Sequence, residues 1–159
     1  GFTIEVGEAD IDYTYESGVL TVNDGADIII SMADGAATPT NDRIVVAENA
    51  TATITLNNVN IAAPSGQPAI DLSSGGTLTL NLANSSTNTL TGGAGAVITG
   101  APSIEVPFGG KLTIQGAGRL SVTGGGKWHW QCRPGHYCLL QCGADYQGLG
   151  QTERHGGRR

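Results

Sequence analysis

The sequence predicts an all-β chain, a right-handed parallel β-helix of about four coils followed by an irregular tail. Three observations lead there. Paired short runs of alternating apolar residues recur along the chain, Gly- and Asn-rich turns separate them, and Leu, Glu, Lys and Arg at helical spacing are scarce.

The paired runs are Leu20-Thr-Val22 with Ile28-Ile-Ile30, Ile44-Val-Val46 with Ile54-Thr-Leu56, Ile70-Asp-Leu72 with Leu78-Thr-Leu80, and Ile104-Glu-Val106 with Leu112-Thr-Ile114. The gap inside a pair is constant in three of them and longer by two residues in the second. Asn23-Asp24-Gly25, Ser73-Ser74-Gly75-Gly76 and Pro107-Phe108-Gly109-Gly110 fill gaps with turn formers. Third runs follow at Val59-Asn-Ile61, Thr89-Leu90-Thr91 and Leu120-Ser-Val122.

One repeat holds too few apolar side chains to enclose a core. Stacked repeats share one, and starts roughly 24 to 34 residues apart suit a solenoid coil. An antiparallel β-sandwich is the competing architecture.

Stacking implies outward rows with about 4.8 Å between strands. One row reads Thr21, Val45, Asp71, Glu105; a second reads Ile29, Thr55, Thr79, Thr113; a third reads Asp27, Thr53, Thr77, Lys111. Ordinary β-formers on a solvated face explain such rows. The functional alternative is a flat polar platform for a polymer, with Thr53, Thr55, Thr77, Thr79, Thr113 and Lys111 as ligand contacts. Asp71 and Glu105 side by side would repel each other, and calcium, which takes oxygen ligands, would relieve that. Solvation of both carboxylates is the plainer reading.

The formal net charge is −6. Before Lys127 the bases are Arg43, Lys111 and Arg119, so the clustered cations that nucleic acid needs are missing. No apolar run is long enough to cross a membrane. Hydrolysis of a glycosidic bond needs two carboxyls at a set separation, and adjacent-strand spacing puts Asp71 and Glu105 too close. Ahead of the tail there is no His or Cys from which to build a nucleophile, so the sequence predicts a non-catalytic protein. The triplets Asn49-Ala-Thr51 and Asn84-Ser-Ser86 match a glycosylation acceptor, as chance permits in an Asn- and Thr-rich chain.

The tail from Lys127 breaks the pattern. It holds Trp128, Trp130, His129, Cys132, His136, Cys138, Cys142 and His155, whereas residues 1–126 contain no Trp, His or Cys. Cys132, His136, Cys138 and Cys142 are zinc-type ligands at a spacing that fits no standard zinc module. A codon argument explains more. Tryptophan is encoded only by TGG, and the codons of His129 and Gln131 begin with CA. A one-base shift therefore turns both tryptophans into glycine. The shifted text opens [NS]-G-[IT]-G-[NS]-[AV]. Farther on it permits [KR]-G-x-G-[KR]-L-S-V-T, close to Gln115–Thr123 as written. The expected division is a β-helix domain over 1–126 and an out-of-frame tail over 127–159.

The texts RIVVAENATATITLNNVNI, AIDLSSGGTLTLNLANSSTNTLTGG and GGKLTIQGAGRLSVTGG resemble the bacterial carbohydrate-binding β-helix family typified by a clostridial polygalacturonate-binding protein. DYTYESGVLTVNDGADIIIS is similar to gut-bacterial surface proteins carrying that domain. The resemblance implies binding of an acidic plant polysaccharide, with calcium structural or bridging. It also implies an extracellular or cell-surface location, as a fragment of a larger protein. Aromatics ahead of the tail are few (Phe2, Tyr13, Tyr15 and Phe108), so hydroxyl rows and bridging cations are the expected means of recognition. A structural spacer or adhesin segment is the alternative role. Ice binding ranks last, because Lys111, Asp27 and Ile29 interrupt the Thr rows.

Overall fold

The computed structural model describes residues 1–95 and 100–124, and the tail expected to be out of frame lies outside them. The strands are β1 (Phe2–Val6), β2 (Tyr13–Glu16), β3 (Val19–Val22), β4 (Asp27–Met32), β5 (Arg43–Val46), β6 (Thr51–Leu56), β7 (Asn60–Ala62), β8 (Ile70–Leu72), β9 (Thr77–Leu82), β10 (Thr87–Thr91), β11 (Ile104–Glu105), β12 (Lys111–Gly116) and β13 (Arg119–Thr123). No helix occurs among the described residues. The strands form three sheets, ordered β1-β4-β6-β9-β12, β11-β8-β5-β3-β2 and β13-β10-β7.

The all-β expectation agrees with this arrangement, but the single parallel β-helix is overturned. The three sheets mix parallel and antiparallel pairing: β1 runs antiparallel to β4, and β2 antiparallel to β3. The cause is local. Between β2 and β3, Ser17 and Gly18 both take positive φ, 50° and 76°. Consecutive left-handed residues make a type I′ turn, whose twist suits a two-residue hairpin. The chain therefore folds back before the first repeat begins. The other pairings are parallel.

Alternation decides which side chains face inward. In β3, β5, β6, β8 and β9 every second residue is buried. Leu20 pairs with Ile44, Ile44 with Ile70, and Ile70 with Ile104. On the facing sheet, Ile28, Ile54, Leu80 and Ile114 stand in register. Ile28, Ile54 and Leu80 have no solvent-accessible area, and Ile114 only 1 %. Ile61 pairs with Leu90, and Leu90 with Val122, which closes the third side.

One buried amide joins three segments at a corner. Asn88 is fully buried. Its Oδ1 accepts from the Val59 amide at 2.9 Å, and its Nδ2 donates to Ser86 Oγ at 2.8 Å and to the Arg119 carbonyl at 3.2 Å. Such a group is tolerated inside only because its partners replace water. Gly118 permits the close approach here: a Cβ on it would collide with Ser86 Oγ and sit 2.5 Å from the Ala83 carbonyl oxygen.

At the hairpin end, the Tyr15 hydroxyl donates to Asp42 and accepts from the Phe2 amide at 2.9 Å. Burial raises the Tyr15 pKa above its ordinary 10.0, and the bond to Asp42 pushes the same way against a smaller opposing effect of the Phe2 amide.

Two outcomes follow from this packing. Leu80→Ala removes side-chain volume between Ile54 and Ile114, and we expect a loss of about 2–5 kcal/mol in urea unfolding. A raised folded pKa means that the Tyr15 contribution is complete below the unfolded value and is lost as pH rises through the folded one. Tyr15→Phe should therefore show a flatter decline of the urea midpoint between about pH 9 and 12 than the parent chain.

Candidate functional site

The outward side chains of β4, β6, β9 and β12 form a nearly continuous polar surface. Pairing across the sheet gives three rows: Asp27–Thr53–Thr79–Thr113, Ile29–Thr55–Asn81–Gln115 and Thr51–Thr77–Lys111. Thr53, Thr55, Thr77 and Thr79 of the middle strands are half-buried, and Thr51 is exposed. Asn81 Nδ2 donates to Thr55 Oγ1 at 3.2 Å, which ties the amide to its neighbour in the row.

The sequence placed the right residue types on this face but assigned the wrong neighbours. Thr79 stands beside Thr53 and Thr113, not beside Thr55; Thr77 stands beside Thr51 and Lys111, not beside Thr53. The reason lies in Ala52. A small residue carries little apolar signal, so alternation read from large side chains starts β6 at Ile54 and sets it opposite Leu78. In the structure Ala52 is 3 % exposed and pairs with Leu78, so the inward triplets Ala52, Ile54, Leu56 and Leu78, Leu80, Leu82 align. Asn81 and Gln115 thereby join the face. Two-residue alternation carried one position past each Leu-Thr-Leu or Leu-Thr-Ile run would have found them.

On the neighbouring sheet the row Thr21–Val45–Asp71–Glu105 forms as read, with Asp71 and Glu105 in register. Asp71 is not left facing Glu105 alone. Arg43 Nη2 pairs with Asp71 Oδ2 at 3.1 Å, and Arg43 Nη1 donates to Gln67. Its side chain is 14 % exposed and that of Asp71 28 %, so the pair is partly shielded. The guanidinium places a positive charge beside Asp71. Among the described residues no group of three or more His, Cys, Asp or Glu comes together to hold a metal. The Asn84 side of the chain serves the fold: Ser86 lies buried against Asn88.

The exposed turn residue Phe108 lies three positions before Lys111, at the margin of the Thr face.

The geometry therefore offers hydroxyl and amide groups at strand spacing, a single lysine and a single aspartate beside them, and an aromatic ring at one margin. Groups of this kind form multiple weak hydrogen bonds with a polyhydroxylated surface. No curated protein and no solved structure matches the chain. The model of the carbohydrate-binding domain-containing protein family matches residues 17–128, the greater part of the chain, from the β2–β3 turn onward, and the chain belongs to that family.

Proposed function

We propose that the chain is a non-catalytic module that lays an extended polysaccharide across the strands of the β4-β6-β9-β12 face. The observation that carries this reading is the in-register row Asp27–Thr53–Thr79–Thr113 beside Ile29–Thr55–Asn81–Gln115. Successive strands repeat the same donors and acceptors about every 4.8 Å. A polymer with hydroxyls at regular intervals can engage them in series, whereas a free sugar covers only one or two strands. Such a ligand is met outside the cell or on its surface, which is where we place the module.

The charge pattern favours a neutral polymer over a polyuronate. The body carries acids well in excess of bases, and of Arg43, Lys111 and Arg119 the first is already paired with Asp71. A polyanion would find Lys111 on this face and little else. Asp71, one half of the carboxylate pair that calcium would bridge, is already paired with the Arg43 guanidinium.

Affinity electrophoresis in hydroxyethylcellulose and in polygalacturonate, each with and without a chelator, tests the reading. We expect retardation by the neutral polymer, insensitive to the chelator. Thr53→Val and Thr79→Val each remove one hydroxyl at nearly constant shape, and each should weaken binding about fivefold, the worth of one hydrogen bond. Chelator-sensitive retention in polygalacturonate alone would assign the acidic ligand instead. Retention in neither gel would refute the polysaccharide reading.

A further inference from the structure

We propose that the outer edges of β11, β12 and β13 form a docking surface for one further repeat, and that this repeat is encoded in the shifted reading frame from Lys127 onward. The two ends of the strand stack differ. At the N-terminal end each sheet is closed by a segment outside the repeats: β1 lies antiparallel on β4, β2 antiparallel on β3, and Thr40 bridges to Ile61 of β7. At the other end β12, β11 and β13 are the last strands of their sheets among the described residues. A strand edge of this kind is a template for another strand.

The core thins at that same end. Ile70, Leu72, Leu78, Leu80 and Leu90 have no accessible area. One strand further out, Leu112 is 8 % exposed, and Ile104, Val106, Leu120 and Val122 are only partly buried against the core. Stacked repeats cover one another's apolar side chains, so one more layer would bring these residues to the burial of the layer beneath.

Spacing specifies the occupant. Paired inward residues of successive strands stand 24 positions apart at Leu20 and Ile44, 34 apart at Ile70 and Ile104, and 32 apart at Leu90 and Val122. An offset of 32 carries all three terminal strands onto the shifted text at once. Ile104-Glu105-Val106 falls on His136-Tyr137-Cys138, whose bases in the shifted frame encode Ile or Thr, Ile or Thr, and Ala or Val under every codon choice. Leu112-Thr113-Ile114 falls on Ala144-Asp145-Tyr146, which permits Leu and then requires Ile or Thr twice. Leu120-Ser121-Val122 falls on Thr152-Glu153-Arg154, which permits Leu-Ser-Val. Gly109-Gly110 falls on Gln141-Cys142, which becomes Asn or Ser followed by Ala or Val; the turn between β5 and β6 holds Asn49-Ala50 at the same place. β-branched residues at these positions suit strands. In the written frame the inward positions carry His136, Cys138, Ala144, Tyr146, Thr152 and Arg154, which is no apolar set. The shifted repeat also sets Ile or Thr beside Thr113, and with threonine there the polar row extends to a fifth strand.

The source gene tests the encoding. In the codons of Ala144, Thr152 and Arg154 we expect T as the third base, because only T yields Leu, Leu and Val in the shifted frame. Any other base in the Ala144 or Thr152 codon puts Pro, Gln or Arg into the inward rows, and a shifted stop within the Leu149 codon ends the repeat; either result overturns the proposal. Hydrogen exchange tests the docking. Deleting the first base of the Lys127 codon gives the restored chain, in which the amides of β12 and β13 should exchange about tenfold more slowly than in the written chain, while those of β1 stay unchanged. A control chain carries the same shifted residues in scrambled order. A restored chain that does not fold, or that protects β12 and β13 no better than this control, overturns the docking surface. Neither measurement depends on polymer binding.

Discussion

The structure depends on the register of short parallel strands. None of β5, β6, β8 or β9 exceeds six residues, and each turns two or three side chains inward. Alone, each would leave those residues half wet. In register, Ile44 lies on Ile70 and Ile54 on Leu80, and their accessible area falls to zero. Burial of each such side chain contributes about 1.5–3 kcal/mol relative to exposure. A slip by one residue would turn the whole inward set out to solvent and the Thr hydroxyls in. The face that we assign to ligand is therefore held by the core beneath it.

Polar groups fix what apolar packing leaves free. Leu and Ile tolerate small displacements, but a buried amide does not. Asn88 bonds to Val59, Ser86 and Arg119, and a shift of any one segment would strand a donor or acceptor away from water. Asn58 plays a similar part nearer the surface, its Oδ1 accepting from the Thr87 amide at 3.0 Å. The corner between the β6-side and β10-side sheets is thus set by hydrogen bonds, and the two larger sheets are joined by turns of one recurring type.

Much of this was legible in the sequence, and what was missed has identifiable causes. Inward pairs such as Leu20-Thr21-Val22 and Ile70-Asp71-Leu72 announce themselves because large β-formers alternate with polar residues. The opening hairpin escaped notice because Ser17-Gly18 is a weaker turn signature than Asn-Gly or Asp-Gly, and only its backbone angles reveal the type I′ turn. The row assignment failed at Ala52, an inward residue too small to look like core. For Arg43 the sequence points to a salt-paired or solvated role but does not specify Asp71 as the partner. Arg43 occupies the position before Ile44, and a long side chain crosses to a neighbouring strand by a path that strand alternation does not specify.

The flatness of the Thr face has a consequence for selectivity. A polar row repeated on four strands spans roughly 14 Å and offers nearly the same chemistry at each step. Repetition strengthens the grip on a polymer, because adjoining contacts are engaged at high effective concentration. It also weakens discrimination, since a shift by one strand costs few hydrogen bonds. A feature that breaks the repeat is needed to set the position and direction of a bound chain. On this face the breaks are Asp27 and Ile29 at the β4 side, and Lys111 at the β12 side. Asp27 repels an anionic sugar and accepts from a neutral one, and Lys111 donates to either. The rows thus supply reach, and the β12 margin supplies the polarity that a bound chain would read.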